Sequence, residues 1–287
     1  MLRYVAVRVA AIVPLLLAVA IISFGLVGLL ELRGSAAEQI LQEGAEPEAV
    51  ARLEAALGLD RPLPIRFVDW LGDAVRGDFG NSLLFQDASV TTLIGERIWP
   101  TLSIVALGLL IGSSLGIAFG VLSALRPGGR LDRALSVTSA VMIATPGFVL
   151  AIFLVIVFAV ELGWFEPTGY RWPSRDGWWA WFRSIVLPGV ALAFPIVAVV
   201  QRQLRSSMTN ALSSRYVLAA RARGLPAGQI VRRHAMRNAM IPTITVIGFQ
   251  AAGAIGLTVA IERVFAVPGM GSLLVQAVSQ RDIPVIQ

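Results

Sequence analysis

IWPTLSIVALGLLIGSSLGIAFGVLSAL, from Ile98 to Leu125, runs for 28 residues without a charged side chain. A helix needs about 20 mostly apolar residues to cross the hydrocarbon core of a bilayer, so the stretch reads as a membrane span. Four more charge-free stretches match it: Val9–Leu30, Ala134–Val160, Ser184–Gln201 and Asn238–Ile261. A further one, Val264–Gln280, carries Pro268, Gly269 and Gly271 near its start. Those residues interrupt helix, so it reads as an interfacial or re-entrant piece followed by a helix start. Composition agrees with this pattern. The 287 residues are 56% hydrophobic and only 15% charged, with a mean hydropathy of +0.75. A soluble domain is about half apolar and about a quarter charged. The expected fold is an all-α membrane protein, a polytopic helix bundle.

Residue types that are missing exclude several chemistries. There is no cysteine, which removes thiol catalysis and thiolate metal sites. The single histidine, His234, leaves no multi-histidine site. All 24 basic residues are arginine. A Walker A loop needs a lysine, so the chain hydrolyses no nucleotide by a P-loop of its own. No ionisable side chain falls inside a span, so no proton or sodium relay is visible. A serine hydrolase would need a base, and the one histidine lies far from any span serine.

Charge orients the spans. With the amino terminus inside, the inner set is Arg3 and Arg8, then Arg126, Arg130, Asp132 and Arg133, then eight arginines between Arg202 and Arg237. That set carries +12 and the rest of the chain −6. The positive-inside rule therefore places the amino terminus on the cytoplasmic side. The first apolar stretch is too long for the core of a signal peptide and reads as an uncleaved helix.

The outer segment 31–97 is acidic, with 12 acidic and 6 basic residues, and reads as a small cap. Pro47-Glu48 opens an expected helix with Val50, Leu53, Ala56 and Leu57 on one face and Gly58 at its end. Asp60-Arg61-Pro62-Leu63-Pro64 blocks helix, and Ile65–Val75 resumes it until Gly77. The second outer loop, Gly163–Arg183, holds Trp164, Trp172, Trp178, Trp179 and Trp181. It fits an aromatic belt at the headgroup level, or a docking surface for an outside partner. Gly108, Gly112, Gly116 and Gly120 recur every four residues, as in close helix–helix packing, with a partner membrane subunit as one neighbour to consider. Thr145, Pro146, Gly147 and Phe148 sit within the third span. Pro146 there predicts a kink, either lining a cavity or serving packing alone. Pro188 and Pro195 in the fourth span are open to the same two readings.

The arginine-rich stretch is the most informative. Tyr216–Arg223 is helix-forming with alanines on its surface, Gly224 ends it, Leu225-Pro226-Ala227-Gly228 turns, and Ile230–Met240 resumes the helix until Pro242 opens the next span. Anchoring alone would need only a short loop. Docking of a cytosolic partner and contact with anionic lipid both remain open from composition. Nucleic-acid binding is disfavoured, because the basic residues sit on a membrane loop.

Tyr216 through Pro242 resembles the EAA loop of permease subunits of ATP-binding-cassette (ABC) importers. The whole chain resembles the B-type permease of dipeptide, oligopeptide and nickel importers. The loop match is Ala219-Ala220-Arg221-Ala222-Arg223-Gly224-Leu225, His234, Arg237-Asn238-Ala239 and Pro242. Further matches run in order along the chain: Gly58-Leu59-Asp60-Arg61-Pro62, Gly77-Asp78-Phe79-Gly80-Asn81-Ser82, Pro100-Thr101-Leu102, Thr145-Pro146-Gly147-Phe148, Glu262-Arg263-Val264-Phe265, Pro268-Gly269-Met270-Gly271 and Arg281-Asp282-Ile283-Pro284. The loop's name-giving glutamate is absent, and Leu218 stands just before Ala219. The family has six spans, which would put the last beyond Gln287.

The resemblance implies a type I ABC importer transmembrane fold: an amino-terminal segment and first span (1–30), an extracytoplasmic cap (31–97) and a core transmembrane domain (98–287). Within the core it implies spans at about 98–125, 134–160, 184–201 and 238–261, and an EAA loop at about 206–240. It implies a multi-pass subunit of the bacterial inner membrane, non-catalytic and with no bound cofactor. ATP and Mg would sit on two ABC ATPase subunits. The other partners would be a homologous C-type permease and an extracytoplasmic substrate-binding protein. The function implied is peptide import, with dipeptides, longer peptides, glutathione and nickel complexes all open as cargo. Tyr216, Ala219, Ala220, Arg221, Arg223, Gly224, Leu225, His234, Arg237 and Asn238 would couple ATPase motion to the spans. Thr145, Pro146 and Phe148 would line the pathway. The competing class is a stand-alone secondary transporter or channel whose basic loop binds lipid.

Overall fold

The computed structural model describes residues 7, 10–31, 48, 61–85 and 88–287. The expected cap helix from Pro47, its end at Gly58 and the motif from Gly58 to Asp60 lie outside the described residues. The described chain is helical, with one isolated antiparallel bridge, Asn81 to Ser89. In chain order the helices are α1 (Ile12–Glu31), α2 (Leu63–Val75), α3 (Val90–Leu125), α4 (Arg130–Ala144), α5 (Gly147–Leu154, continued by a π-helical Val155–Glu161), α6 (Trp178–Leu212), α7 (Arg215–Ala222), α8 (Ala227–Val264, with a π-helical turn at Ile230–Ala235), α9 (Met270–Gln280) and α10 (Ile283–Ile286). Among them α3, α6 and α8 are long and apolar enough to cross a membrane, and the pair α4–α5 adds a fourth if it counts as one span.

The chain divides into two compact units: residues 1–96 with 273–287, and residues 97–272. In the first, α2 begins at Leu63, two residues earlier than the sequence suggests. Pro62 stands before it as the cap, and Pro64 is tolerated as its second residue, because a first turn has no use for the missing N–H. It ends in a Schellman turn. Gly77 has φ +86°, its N–H reaches Ala74 O at 3.0 Å, and Asp78 N–H reaches Asp73 O at 3.1 Å. Phe24 of α1 packs edge-on to Phe67, with ring centres 5.4 Å apart. Two of the sequence motifs meet in this unit. The fully buried Asp282 carboxylate accepts the Ser82 hydroxyl and the Leu83 N–H, and Val27 with Ile283 forms a small apolar cluster.

The second unit is organised on α6. Its inner face (Ile185, Leu192, Ile196, Val200) packs with Ile104, Ala151 and Ile261 into the main core. The glycine stripe faces this same chain. A Cβ added at Gly108 would meet Leu192, at Gly112 Ile196, at Gly116 Val200 and at Gly120 Leu204. Both helices therefore advance by four residues along one seam, and the glycines let the backbones approach. This replaces the partner membrane subunit considered above as the stripe's neighbour. At the Gly120 end of the seam Gln201 Nε2 donates to the buried Ser123 hydroxyl at 3.1 Å.

The region of Pro146 is sharper than the expected kink. α4 and α5 meet at 96°. Thr145 takes extended backbone (ψ 116°) because a residue before proline is disfavoured in the helical region, and Pro146 then serves as the cap of α5. Thr145 is half-buried, with its hydroxyl on Val141 O at 2.9 Å, while Pro146 and Phe148 are exposed. Pro242, expected to open a span, lies inside α8, which runs unbroken out of the hairpin.

Candidate functional site

The arginine-rich stretch folds as a helical hairpin. α7 runs from Arg215 to Ala222, and Gly224 at φ +76° closes it. Gly224 N–H bonds to Arg221 O at 2.9 Å and Leu225 N–H to Ala220 O at 3.2 Å, the two bonds of a Schellman turn. No atom would meet a Cβ at Gly224 within 4 Å, so the requirement for glycine is purely one of backbone angle. Val217, Ala220 and Ile230 are buried together, with Leu225 against them. Positions 217 and 220 lie one helical step apart and turn that face of α7 toward the second arm.

The outward side of the hairpin has a different character. Leu218 is 55% exposed, and Ala219, Arg221, Ala222 and Arg223 are exposed beside it. Of the alanines expected to make outside contacts, Ala220 is occupied within the hairpin, whereas Ala219 and Ala222 are open. Asn238 Nδ2 donates to the Tyr216 hydroxyl at 3.0 Å, which ties the start of α7 to α8. His234 is half-buried and Arg237 exposed. Arg232 and Arg233 with Gly228 and Gln229 line a cavity of about 550 Å³.

About two turns before the end of α6, which leads into the hairpin, lies an ion pair that sequence reading did not single out. Arg205 Nε and Nη2 grip the Asp132 carboxylate at 2.5 and 2.7 Å, and Gly128 N–H adds a third bond at 2.7 Å. Asp132 is 3% exposed. Both residues lie outside the charge-free stretches of their helices. The Arg205 guanidinium holds the Asp132 carboxyl at about 2, well below its ordinary value. The only sequence signal was that Asp132 is the single acid in the basic set.

Three other motifs converge elsewhere in this unit. The fully buried Glu262 accepts the Thr101 hydroxyl at 2.6 Å and Ser272 N–H at 2.9 Å, while Thr101 Oγ accepts Met270 N–H at 2.8 Å. A side chain at Gly269 would collide with Glu262, and one at Gly271 with Val259. Near the start of α6, Trp99, Leu102, Ser103, Tyr170, Trp172 and Trp181 line an aromatic cavity of about 610 Å³. The Tyr170 hydroxyl receives Trp181 Nε1–H at 2.9 Å. Trp164, Trp178 and Trp179 are exposed, as a belt requires.

Residues 116–287 match the family described as binding-protein-dependent transport system inner membrane component, and residues 1–104 match that system's amino-terminal membrane component. The chain belongs to this family of inner-membrane transport components. It is a multi-pass permease of the inner membrane. Among its relatives is the "Probable peptide ABC transporter permease protein y4tP" of Sinorhizobium fredii, 39% identical over 88% of this chain and 80% of the relative. Another is the glutathione transport system permease protein GsiC of Shigella flexneri, 36% identical over 100% of this chain and 90% of the relative. Among solved structures, the MetNI methionine ABC transporter in an inward-facing conformation aligns with a TM-score of 0.52 at 20% identity, over 64% of this chain and 80% of the other. That likeness shows the fold, a type I ABC importer transmembrane bundle.

Proposed function

We propose that this permease is the B-type subunit of an ATP-driven peptide importer and forms half of its translocation pathway. The hairpin carries the proposal. It is capped by a glycine, pinned by Tyr216–Asn238, and presents exposed Leu218, Ala219 and Ala222 together with exposed Arg221 and Arg223. A lipid-binding loop has no need of a rigid small-residue face, whereas a protein groove does. Relatives named for peptide and glutathione transport support the cargo class.

In this account the hairpin and the amino terminus face the cytoplasm, and an ABC ATPase seats the hairpin in a surface groove. A C-type permease completes the pathway, a second ATPase serves it, and an outside binding protein delivers the cargo. ATP and Mg are bound and turned over on the ATPases, and this chain is non-catalytic. Closure of the ATPases moves the hairpins as rigid bodies, and the spans rock between inward and outward access. Thr145, Pro146 and Phe148, at the 96° break, lie along the pathway.

The test is mild-detergent purification of the tagged chain from its host, with mass spectrometry of its companions and peptide uptake in proteoliposomes. A second permease, one or two ATPases and ATP-dependent uptake are expected. A chain that purifies alone and transports without ATP would establish the secondary-transporter class instead.

A further inference from the structure

We infer that Asp132 and Arg205 form the brace through which movement of the hairpin reaches the broken helix α4–α5. The inference rests on the importer reading above. Arg205 lies two turns before the end of α6, and only Ser213 and Ser214 separate α6 from α7. Asp132 lies in the first turn of α4, whose far end is the break at Thr145-Pro146. The two side chains are joined by parallel bonds at 2.5 and 2.7 Å. Such a fork fixes orientation as well as distance, which a single-point contact does not. The Gly128 N–H bond holds the same carboxylate to the α3–α4 turn.

One buried carboxylate therefore joins the end of the rod that carries the hairpin, the turn after α3, and the start of the bent pair. A displacement of α6 cannot leave α4 behind while the fork is made. Asp132 and Arg205 are positioning residues. They touch neither cargo nor nucleotide.

The test uses the purified complex with its ATPases in proteoliposomes, reading peptide uptake and ATP hydrolysis in parallel. Asp132→Asn keeps the shape and removes the charge. Uptake is expected to fall at least tenfold while hydrolysis stays within twofold of the parent. Uptake unchanged, or uptake and hydrolysis falling together, would overturn the brace. As a second arm, the chain's lack of cysteine allows a double variant, Asp132→Cys with Arg205→Cys, bridged by a short bifunctional thiol reagent. Restored uptake on bridging supports a brace that stays closed, also where Asp132→Asn accumulates poorly. Uptake by the unbridged variant that bridging abolishes would show a latch that must open, and would overturn it. A parent complex that shows no ATP-driven uptake overturns the importer reading and the brace with it, so the two failures are distinct.

Discussion

Gly112→Ala tests the α3–α6 seam. The added Cβ would stand 2.7 Å from Cβ and Cγ2 of Ile196 and 3.1 Å from the Ala193 carbonyl oxygen. Carbon atoms prefer about 3.5–4.0 Å, so the helices must separate by most of an ångström or Ile196 must leave its rotamer. Overpacking of this kind costs about 1–3 kcal/mol. Alanine returns up to about 1 kcal/mol of helix propensity. The net loss is about 1–2 kcal/mol, and Gly112→Leu costs more. Gly248 in α8 has nothing within 4 Å of its Cβ position, so Gly248→Ala is a matched control with no steric term. The assay is thermal unfolding in detergent, followed by helical circular dichroism. At roughly 2–4 °C per kcal/mol, Gly112→Ala should melt several degrees below the parent and Gly248→Ala at or above it. Equal melting of Gly112→Ala and the parent would refute the seam.

The left-handed turns give two predictions of opposite sign. Gly224→Ala should lose about 1 kcal/mol of hairpin stability and Gly224→Asn much less, as scored by protease resistance of the loop, since only the backbone angle objects. Ala266 closes the end of α8 at φ +49°, so Ala266→Gly should raise the melting temperature. Gly224→Asp should separate ATP hydrolysis from uptake in the assembled importer. Wild-type uptake by that variant would remove the coupling role. Asp132 has a folded pKa below its ordinary one, so its stabilisation is complete above about pH 4 and is lost as pH falls toward about 2. Melting followed through that window should show a slope that Asp132→Asn flattens.

Local features of the chain were readable wherever local physics sets them. Charge-free runs of span length gave α3, α6 and α8, and Gly224 gave the hairpin's turn. The four-residue glycine period gave a packing face. It could not say which helix fills that face, because periodicity fixes a direction and not a neighbour. Pro146 announced a bend, but the 96° turn follows from Thr145 leaving the helical region as well. Ala219, Ala220 and Ala222 look alike in sequence. Only the helical register of Val217 and the packing of Ile230 turn Ala220 inward and leave its neighbours open. The pairs Asp132–Arg205, Thr101–Glu262 and Ser82–Asp282 span long stretches of chain and exist only through tertiary packing.

The central claim is that the outward face of the hairpin seats an ATPase. Because these 287 residues contain no cysteine, a single cysteine at Leu218, Ala219 or Ala222 can be labelled with a photo-cross-linker on the purified chain before the complex is assembled in membranes. Cross-links to an ATPase subunit from these exposed positions, and none from a cysteine at Gly248, are the predicted result. Cross-links only to lipid from all three, in membranes where the ATPase is present and active, would contradict it.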